Sequence, residues 1–181
     1  GMKILATTIG TRPLRAACAA LALLFAGAAL AQSSWHSLNA PSLGFSVEMP
    51  AQPKYTTKPM KTGKGSPYTM HEYLLEGGPS AFVIQTSIYP TDVNVANPQA
   101  NLQGGLNNAA KNMEGGRWTS VNWVKHQGIT AADASGRRDG HEIRSYSVLK
   151  GRQIFALTYA GPIGSGSSAE VQRFIASLRI Q

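Results

Sequence analysis

The stretch GHEIRSYSVLKGRQIFALTYA, residues 140–160, predicts two β-strands joined by a tight turn at Lys150-Gly151. Side chains alternate between the two faces of a strand. One face of the second strand carries three large apolar side chains: Phe155, Leu157 and Tyr159. The other face of this strand carries Ile154, Ala156 and Thr158, so it is not clearly polar. A strand that is apolar on both faces is typical of a central strand, so the hairpin predicts a sheet with a further layer on each face.

The first 31 residues have the pattern of a tag residue, Gly1, followed by a secretory signal peptide. A basic region precedes an apolar run, Ala16–Ala31, that ends in the A-x-A pattern of a cleavage site. This run is short for a membrane span, which needs about 20 residues. We therefore expect cleavage after Ala31, a periplasmic or secreted protein, and no membrane or lipid anchor.

Removing 31 of the 181 residues leaves 150, which is the size of one domain, 32–181. The basic residues Lys3, Arg12 and Arg15 leave with the leader, which lowers the formal net charge from +8 to +5. Cys18 is the one cysteine of the chain and leaves too. The mature chain then has no disulfide and no thiolate chemistry, so a hydrophobic core must stabilise it.

Two helices are predicted among the strands. Asn97-Pro98 begins the first, over Asn97–Glu114, with Asn as the cap and Pro in the first turn. Gly104-Gly105 weaken this helix and suit close packing. Ser167-Ser-Ala-Glu170 is a capping box that begins the second helix, whereas the polar lead from 32 to 41 is expected to be poorly ordered. The expected core comprises Phe45, Phe82, Ile84, Leu106, Phe155, Leu157, Phe174 and Leu178.

Three segments resemble the PsbP-like superfamily, which includes PsbP and DcrB-like periplasmic proteins: residues 45–50 (FSVEMP), 151–159 (GRQIFALTY) and 173–178 (RFIASL). The resemblance implies an α+β fold, a single domain with a central antiparallel β-sheet flanked by helices on both faces (an α/β/α sandwich). It implies no particular activity, since members stabilise complexes, bind partners or assist envelope processes. No functional residue of the family maps onto this chain.

The sequence offers little for catalysis or metal binding. The histidines His36, His71, His126 and His141 show no H-x-x-x-H or H-E-x-x-H spacing. Neighbours on a strand face opposite sides, so neither His71-Glu72 nor His141-Glu142 can chelate one ion alone. K-T-G at Lys61 and S-x-x-K at Ser147 stand in the reverse order of the β-lactamase motifs. We therefore predict no metal, no cofactor and no enzymatic activity.

Two basic clusters form a candidate surface for an anion or a partner protein: Lys54, Lys58, Lys61 and Lys64 on one hairpin, and Arg137, Arg138, Arg144 and Arg152 on another. The alternative is that these charges provide solubility and protect a sheet edge from aggregation. Nucleic acid is not expected as a partner, because no aromatic-basic recognition motif is present.

Three functions remain open at this point. The first is a non-catalytic periplasmic accessory or binding protein for an envelope protein or an anionic ligand. The second is a small lipid or ligand carrier, with a pocket between the sheet and the Asn97–Glu114 helix where Gly104-Gly105 leave room. The third is a hydrolase without a recognisable motif. A filled core with an exposed patch favours the first, an apolar pocket the second and a polar pocket the third.

Overall fold

The structure of the protein is a computed structural model, which describes residues 34–181. Its largest element is a seven-stranded antiparallel sheet. The described residues form ten strands: β1 His36–Ala40, β2 Phe45–Met49, β3 Lys54–Lys61, β4 Pro67–Gly77, β5 Ser80–Ile88, β6 Ser120–His126, β7 Ile129–Arg138, β8 His141–Lys150, β9 Gln153–Gly161 and β10 Arg179–Ile180. The helices are α1 Pro98–Ala110 and α2 Ala169–Ala176, with 3-10 turns at Pro41–Leu43, Glu114–Gly116 and Ser165–Ser167. The predicted leader, residues 1–31, lies outside the described residues.

The hairpin predicted from residues 140–160 lies in the middle of the large sheet, whose strand order is β3-β4-β5-β9-β8-β7-β6. Strands β8 and β9 pair from Glu142 opposite Gly161 to Lys150 opposite Gln153. Gly151 has a φ of 59°, so the turn needs the left-handed conformation that glycine adopts without strain. The strand order, which places β9 between β5 and β8, confirms the prediction that β9 is a central strand.

The predicted α+β class, an α/β/α sandwich with helices on both faces of this sheet, is wrong. The described residues are mostly β, with ten strands in two sheets and two short helices. A second, three-stranded sheet with the order β1-β2-β10 covers most of one face, together with the short helix α2. Helix α1 lies over the other face. Strand β1 arises from the polar lead that was expected to be poorly ordered. The small sheet is hard to see in the sequence because β10 has two residues and pairs with Phe45 and Ser46, which are far away along the chain.

The predicted core is confirmed, since each of its eight side chains is at most 4% exposed. Edge-to-face ring contacts connect the layers. The Phe45 ring of the small sheet lies 6.0 Å from the Phe155 ring of β9, and the Phe174 ring of α2 lies 5.2 Å from the Phe82 ring of β5. Such pairs contribute about 0.5–1.5 kcal/mol beyond the burial of their area.

The helix boundaries match the prediction in part. The Asn97 side chain caps α1 by accepting a hydrogen bond from the Ala100 N–H at 3.1 Å, as expected. The helix ends at Ala110, before the predicted Glu114. The second helix is capped by Ser168, one residue later than predicted, through a 3.3 Å bond from the Val171 N–H. Neither helix within 34–181 is long and apolar enough to cross a membrane.

Candidate functional site

The two faces of the large sheet are covered to different extents. Toward the small sheet, Phe155 is 3% and Leu157 is 1% exposed. On the opposite face of the same strand, Ile154, Ala156 and Thr158 are only half-buried. The difference follows from the cover, because α1 packs against β7 and β8 and leaves β5 and β9 partly open.

An open groove of about 530 Å³ lies between α1 and these uncovered strands. We call it the α1 groove. Its floor is formed by alternate residues of β9, and β5 borders it on one side: Ile154, Ala156, Thr158, Ala160, Val83 and Gln85. Small-molecule sites in proteins typically have volumes of about 300–1,000 Å³ and mostly apolar walls. The α1 groove is therefore the leading candidate for a binding site.

Buried leucines and one tryptophan hold helix α1 against the sheet. Leu102 and Leu106 are buried, and the Trp118 indole N–H donates to the Leu106 carbonyl at 2.9 Å. Trp118 lies directly on Gly136, where an added Cβ would come within 3.1 Å of the ring. At Gly105, by contrast, an added Cβ would meet no heavy atom within 4 Å. Gly105 lines the α1 groove and leaves it open.

The polar groups of the α1 groove are mostly uncharged. The Gln85 amide donates to the Glu72 carboxylate at 2.9 Å, which fixes its orientation. Burial, aided by the neighbouring Tyr68, raises the pKa of the Tyr89 phenol, so this group stays a neutral donor. Arg138 is the one charged side chain among the described residues that line the groove. The lining also includes the Asn101 amide and three hydroxyls: Ser145, Ser147 and Thr158.

A second cleft, of about 400 Å³, lies beside an aromatic group on the outer strands of the sheet. The Tyr55 hydroxyl and His71 Nδ1 are 2.7 Å apart, and the Tyr55 ring stacks on Tyr73 with centroids 4.7 Å apart. His71 borders the cleft, but its Nδ1 already has this partner. The cleft lacks a covering helix, so it is the weaker candidate.

The predicted lysine group lies on the edge of the sheet. Strand β3 is an edge strand, and Lys54 and Lys58 stand opposite Leu74 and Met70 on one face of it. Lys61 ends this strand, and Lys64 lies in the turn that follows. All four side chains are exposed. The α1 groove includes none of them among its described lining residues.

The predicted arginine group is divided by the structure. Arg144 binds Asp133 through two hydrogen bonds, of 3.0 and 2.8 Å, and donates to the Gly166 carbonyl at 2.9 Å. Arg152 donates to three backbone carbonyls and so fixes the loop after β5: Tyr89 at 2.9 Å, Val93 at 2.5 Å, and Pro90. Both arginines therefore hold the fold together.

The other two arginines, Arg137 and Arg138, are exposed neighbours on β7. Because neighbours on a strand face opposite sides, Arg138 lies toward the α1 groove and Arg137 does not.

The histidines are not assembled into a metal site. His71 on β4 and His141 on β8 are separated by β5 and β9, so they do not meet across the sheet. Within 34–181, no group of three or more His, Cys, Asp or Glu side chains could hold a metal ion. His126 is buried instead, with Nδ1 2.9 Å from the Tyr146 hydroxyl. Its Nε2 atom has no hydrogen-bond partner among the described residues.

Most residues of the α1 groove were absent from the predicted site. They are mainly small or apolar side chains of α1, β5, β8 and β9, which sequence patterns assign to a covered face. The useful signal was Gly104-Gly105, together with the small residues that alternate with Phe155 and Leu157. Arg138 was in the predicted group, but nothing in the sequence separates it from Arg144 or Arg152.

Comparison with known proteins defines the fold class. Neither a protein-family model nor a curated protein matches the sequence. The solution structure of cyanobacterial PsbP (CyanoP) from Synechocystis sp. PCC 6803 is similar in fold, with a TM-score of 0.50 and 9% sequence identity, over 82% of this chain and 93% of that chain. The chain thus has a PsbP-like fold.

A second solved structure, the crystal structure of PA94 from Pseudomonas aeruginosa, a protein of unknown function, matches less well. Its TM-score is 0.36 at 13% identity, over 73% of this chain and 85% of that chain. At these identities the likeness concerns the fold alone.

Proposed function

We propose that this protein is a non-catalytic binding protein that holds a small, largely apolar ligand in the α1 groove. The observation that carries the proposal is the uneven cover of the large sheet. On one face the small sheet and α2 bury the central side chains of β5 and β9, whereas on the other face these strands border a groove of about 530 Å³. Half-buried apolar side chains such as Val83 and Ile154 gain further burial when a ligand fills that space.

The chemistry of the lining supports binding over catalysis. General acid–base catalysis needs a carboxylate, an imidazole or a similar group within hydrogen-bond reach of the substrate. Among the described lining residues, the ionisable side chains are Arg138 and Tyr89, and neither is an effective base near neutral pH. Ser147 lines the groove, whereas its S-x-x-K partner Lys150 is directed to the opposite face of β8.

The adjacent glycines of α1 provide a direct test. Gly105→Leu places a side chain in the α1 groove, whereas Gly104→Leu adds the same side chain at an exposed position outside it. Leucine is favoured over glycine in a helix by roughly 0.8–1 kcal/mol, so both variants are expected to fold. The probe is the neutral dye N-phenyl-1-naphthylamine, whose fluorescence rises in an apolar site.

We expect the wild-type chain and Gly104→Leu to bind the dye alike, and Gly105→Leu to bind it at least about tenfold more weakly, since tenfold corresponds to about 1.4 kcal/mol of lost contact. Circular dichroism and urea unfolding verify that both variants are folded. Equal binding by the two leucine variants would place the dye elsewhere and overturn the proposal.

We also propose that the protein acts outside the cytoplasm. The basic–apolar–A-x-A order of residues 1–31 supports export. Mass spectrometry of the protein from its native host should show an N-terminus at Gln32. A retained Met2 would contradict export with cleavage.

A further inference from the structure

Arg138 occupies one end of the α1 groove. It is the last residue of β7, and it pairs with His141 of β8. Two residues further along β8, Ile143 pairs with Ala160, the last residue of the groove floor. The other end of the floor is Ile154, near Tyr89. The floor from Ile154 to Ala160 spans six residue steps, or about 20 Å at about 3.3 Å per residue.

The guanidinium of Arg138 is available for a ligand. Its side chain is 54% exposed, and its one ion-pair contact within residues 34–181 is with Asp139, 3.7 Å away and 88% exposed. That distance is too long for a hydrogen bond. Arg144 differs in this respect, since Asp133 and a backbone carbonyl use its donors. A planar guanidinium with free donors is suited to bind a carboxylate through two parallel hydrogen bonds.

We infer that the α1 groove binds an amphipathic monocarboxylate, with its apolar chain along the β9 floor and its carboxylate at Arg138. This inference rests on the proposed function, because it specifies the ligand of the same groove. The apolar part is matched by the floor and by Leu102 and Leu106 of α1, which line the groove. The carboxylate is matched by Arg138, the one charged side chain among the described lining residues, which lies at the end of the floor.

The neighbouring charges favour a single negative charge on the ligand. Beyond Arg138 a shallow cleft is lined by two carboxylates, Glu76 and Asp139, and by His141. Attraction to Arg138 and repulsion by these carboxylates both scale with the charge of the ligand, whereas the cost of removing an ion from water grows with the square of its charge. A single guanidinium beside two carboxylates therefore suits a carboxylate better than a dianion such as a phosphate monoester. Asp139 also competes for the guanidinium, so its removal should strengthen binding.

The experiment compares two probes that have the same chain and differ in the head group: dodecanoate and dodecan-1-ol. Each displaces N-phenyl-1-naphthylamine from the full chain at neutral pH. The variants are Arg138→Gln, the matched control Arg137→Gln on the opposite face of the same strand, and Asp139→Asn. Asp139 has a φ of 50°, a conformation that asparagine also tolerates, so this variant is expected to fold.

We expect wild-type protein to bind dodecanoate more tightly than dodecan-1-ol. Arg138→Gln should weaken dodecanoate binding about threefold to fivefold, as expected of a half-exposed ion pair, and leave dodecan-1-ol unaffected. Arg137→Gln should change neither, and Asp139→Asn should tighten dodecanoate binding alone. The preference for dodecanoate should shrink when the Debye length falls from about 30 Å to about 8 Å with added salt.

Four results would overturn the inference, and they separate its failure from the failure of the groove proposal. If dodecanoate and dodecan-1-ol bind equally, or if the two arginine variants lose dodecanoate to the same extent, Arg138 does not bind the carboxylate while the groove proposal stands. If neither probe displaces a dye whose binding Gly105→Leu weakens, the ligand class fails while the groove proposal stands. If Gly105→Leu leaves dye binding unchanged, the groove proposal fails and the ligand class fails with it.

Discussion

Replacing Phe155 with alanine tests the central position of β9 in the sheet. The ring is 3% exposed, faces the small sheet and lies edge-on to Phe45 at 6.0 Å. Removing a buried phenylalanine costs about 3–5 kcal/mol, from lost burial and from the cavity left behind. Domains have about 5–15 kcal/mol of stability in total, so the variant should remain folded with much of its margin lost. At about 2–4 °C per kcal/mol for a chain of this size, Tm should fall by roughly 6–20 °C.

The adjacent residue gives the matched control. Ile154 lies on the other face of β9, half-buried on the floor of the α1 groove. Ile154→Ala removes contacts on one side only and should cost about 1 kcal/mol, the typical value for a point substitution. Both free energies of unfolding come from urea titrations followed by tryptophan fluorescence, with unchanged m-values. Equal losses for the two variants, or a loss below about 1 kcal/mol for Phe155→Ala, would refute the sealed-face and open-face description of the sheet.

Two further predictions concern a buried histidine and the edge lysines. Burial lowers the pKa of His126 below its ordinary value of 6.5, so the fold favours the neutral ring. The resulting stability is complete above about pH 6.5 and is lost as the pH falls through the lowered pKa. His126→Gln should flatten the fall in unfolding free energy between about pH 7 and about pH 5, and an unchanged pH profile would exclude His126 as its source. Changing Lys58, Lys61 and Lys64 together to Gln should alter the unfolding free energy by no more than about 0.5 kcal/mol, because all three are exposed. The same triple variant should aggregate faster in light scattering if these lysines protect the edge, and unchanged aggregation with loss of a captured acidic partner would support a docking surface instead.

The sequence alone determined the local structure of the large sheet. The alternation of side chains along residues 140–160 identified its two central strands, β8 and β9, since strand side chains have a period of two. Lys150-Gly151 located the turn between them to within one residue, because the turn needs the positive φ that Gly151 adopts. Large apolar side chains identified the core, including Phe45 and Phe174, since a chain of this size must bury them.

Tertiary structure alone decided what covers the sheet. Strands β1 and β10 are short and acquire their structure by pairing with β2, and no local pattern specifies a partner that is distant along the chain. A three-stranded sheet therefore stands where a helical layer was expected.

Tertiary structure also decided which face stays open and which arginine is available. Both faces of β9 are apolar in the sequence, and only the placement of α1 over β7 and β8 leaves one of them accessible. Arg138, Arg144 and Arg152 are the same residue type on neighbouring strands or turns, yet two of them bind groups of the fold and one lies at the end of the α1 groove. The physical reason is that an arginine's role depends on which acceptors come within hydrogen-bond distance, and folding brings those acceptors from other parts of the chain.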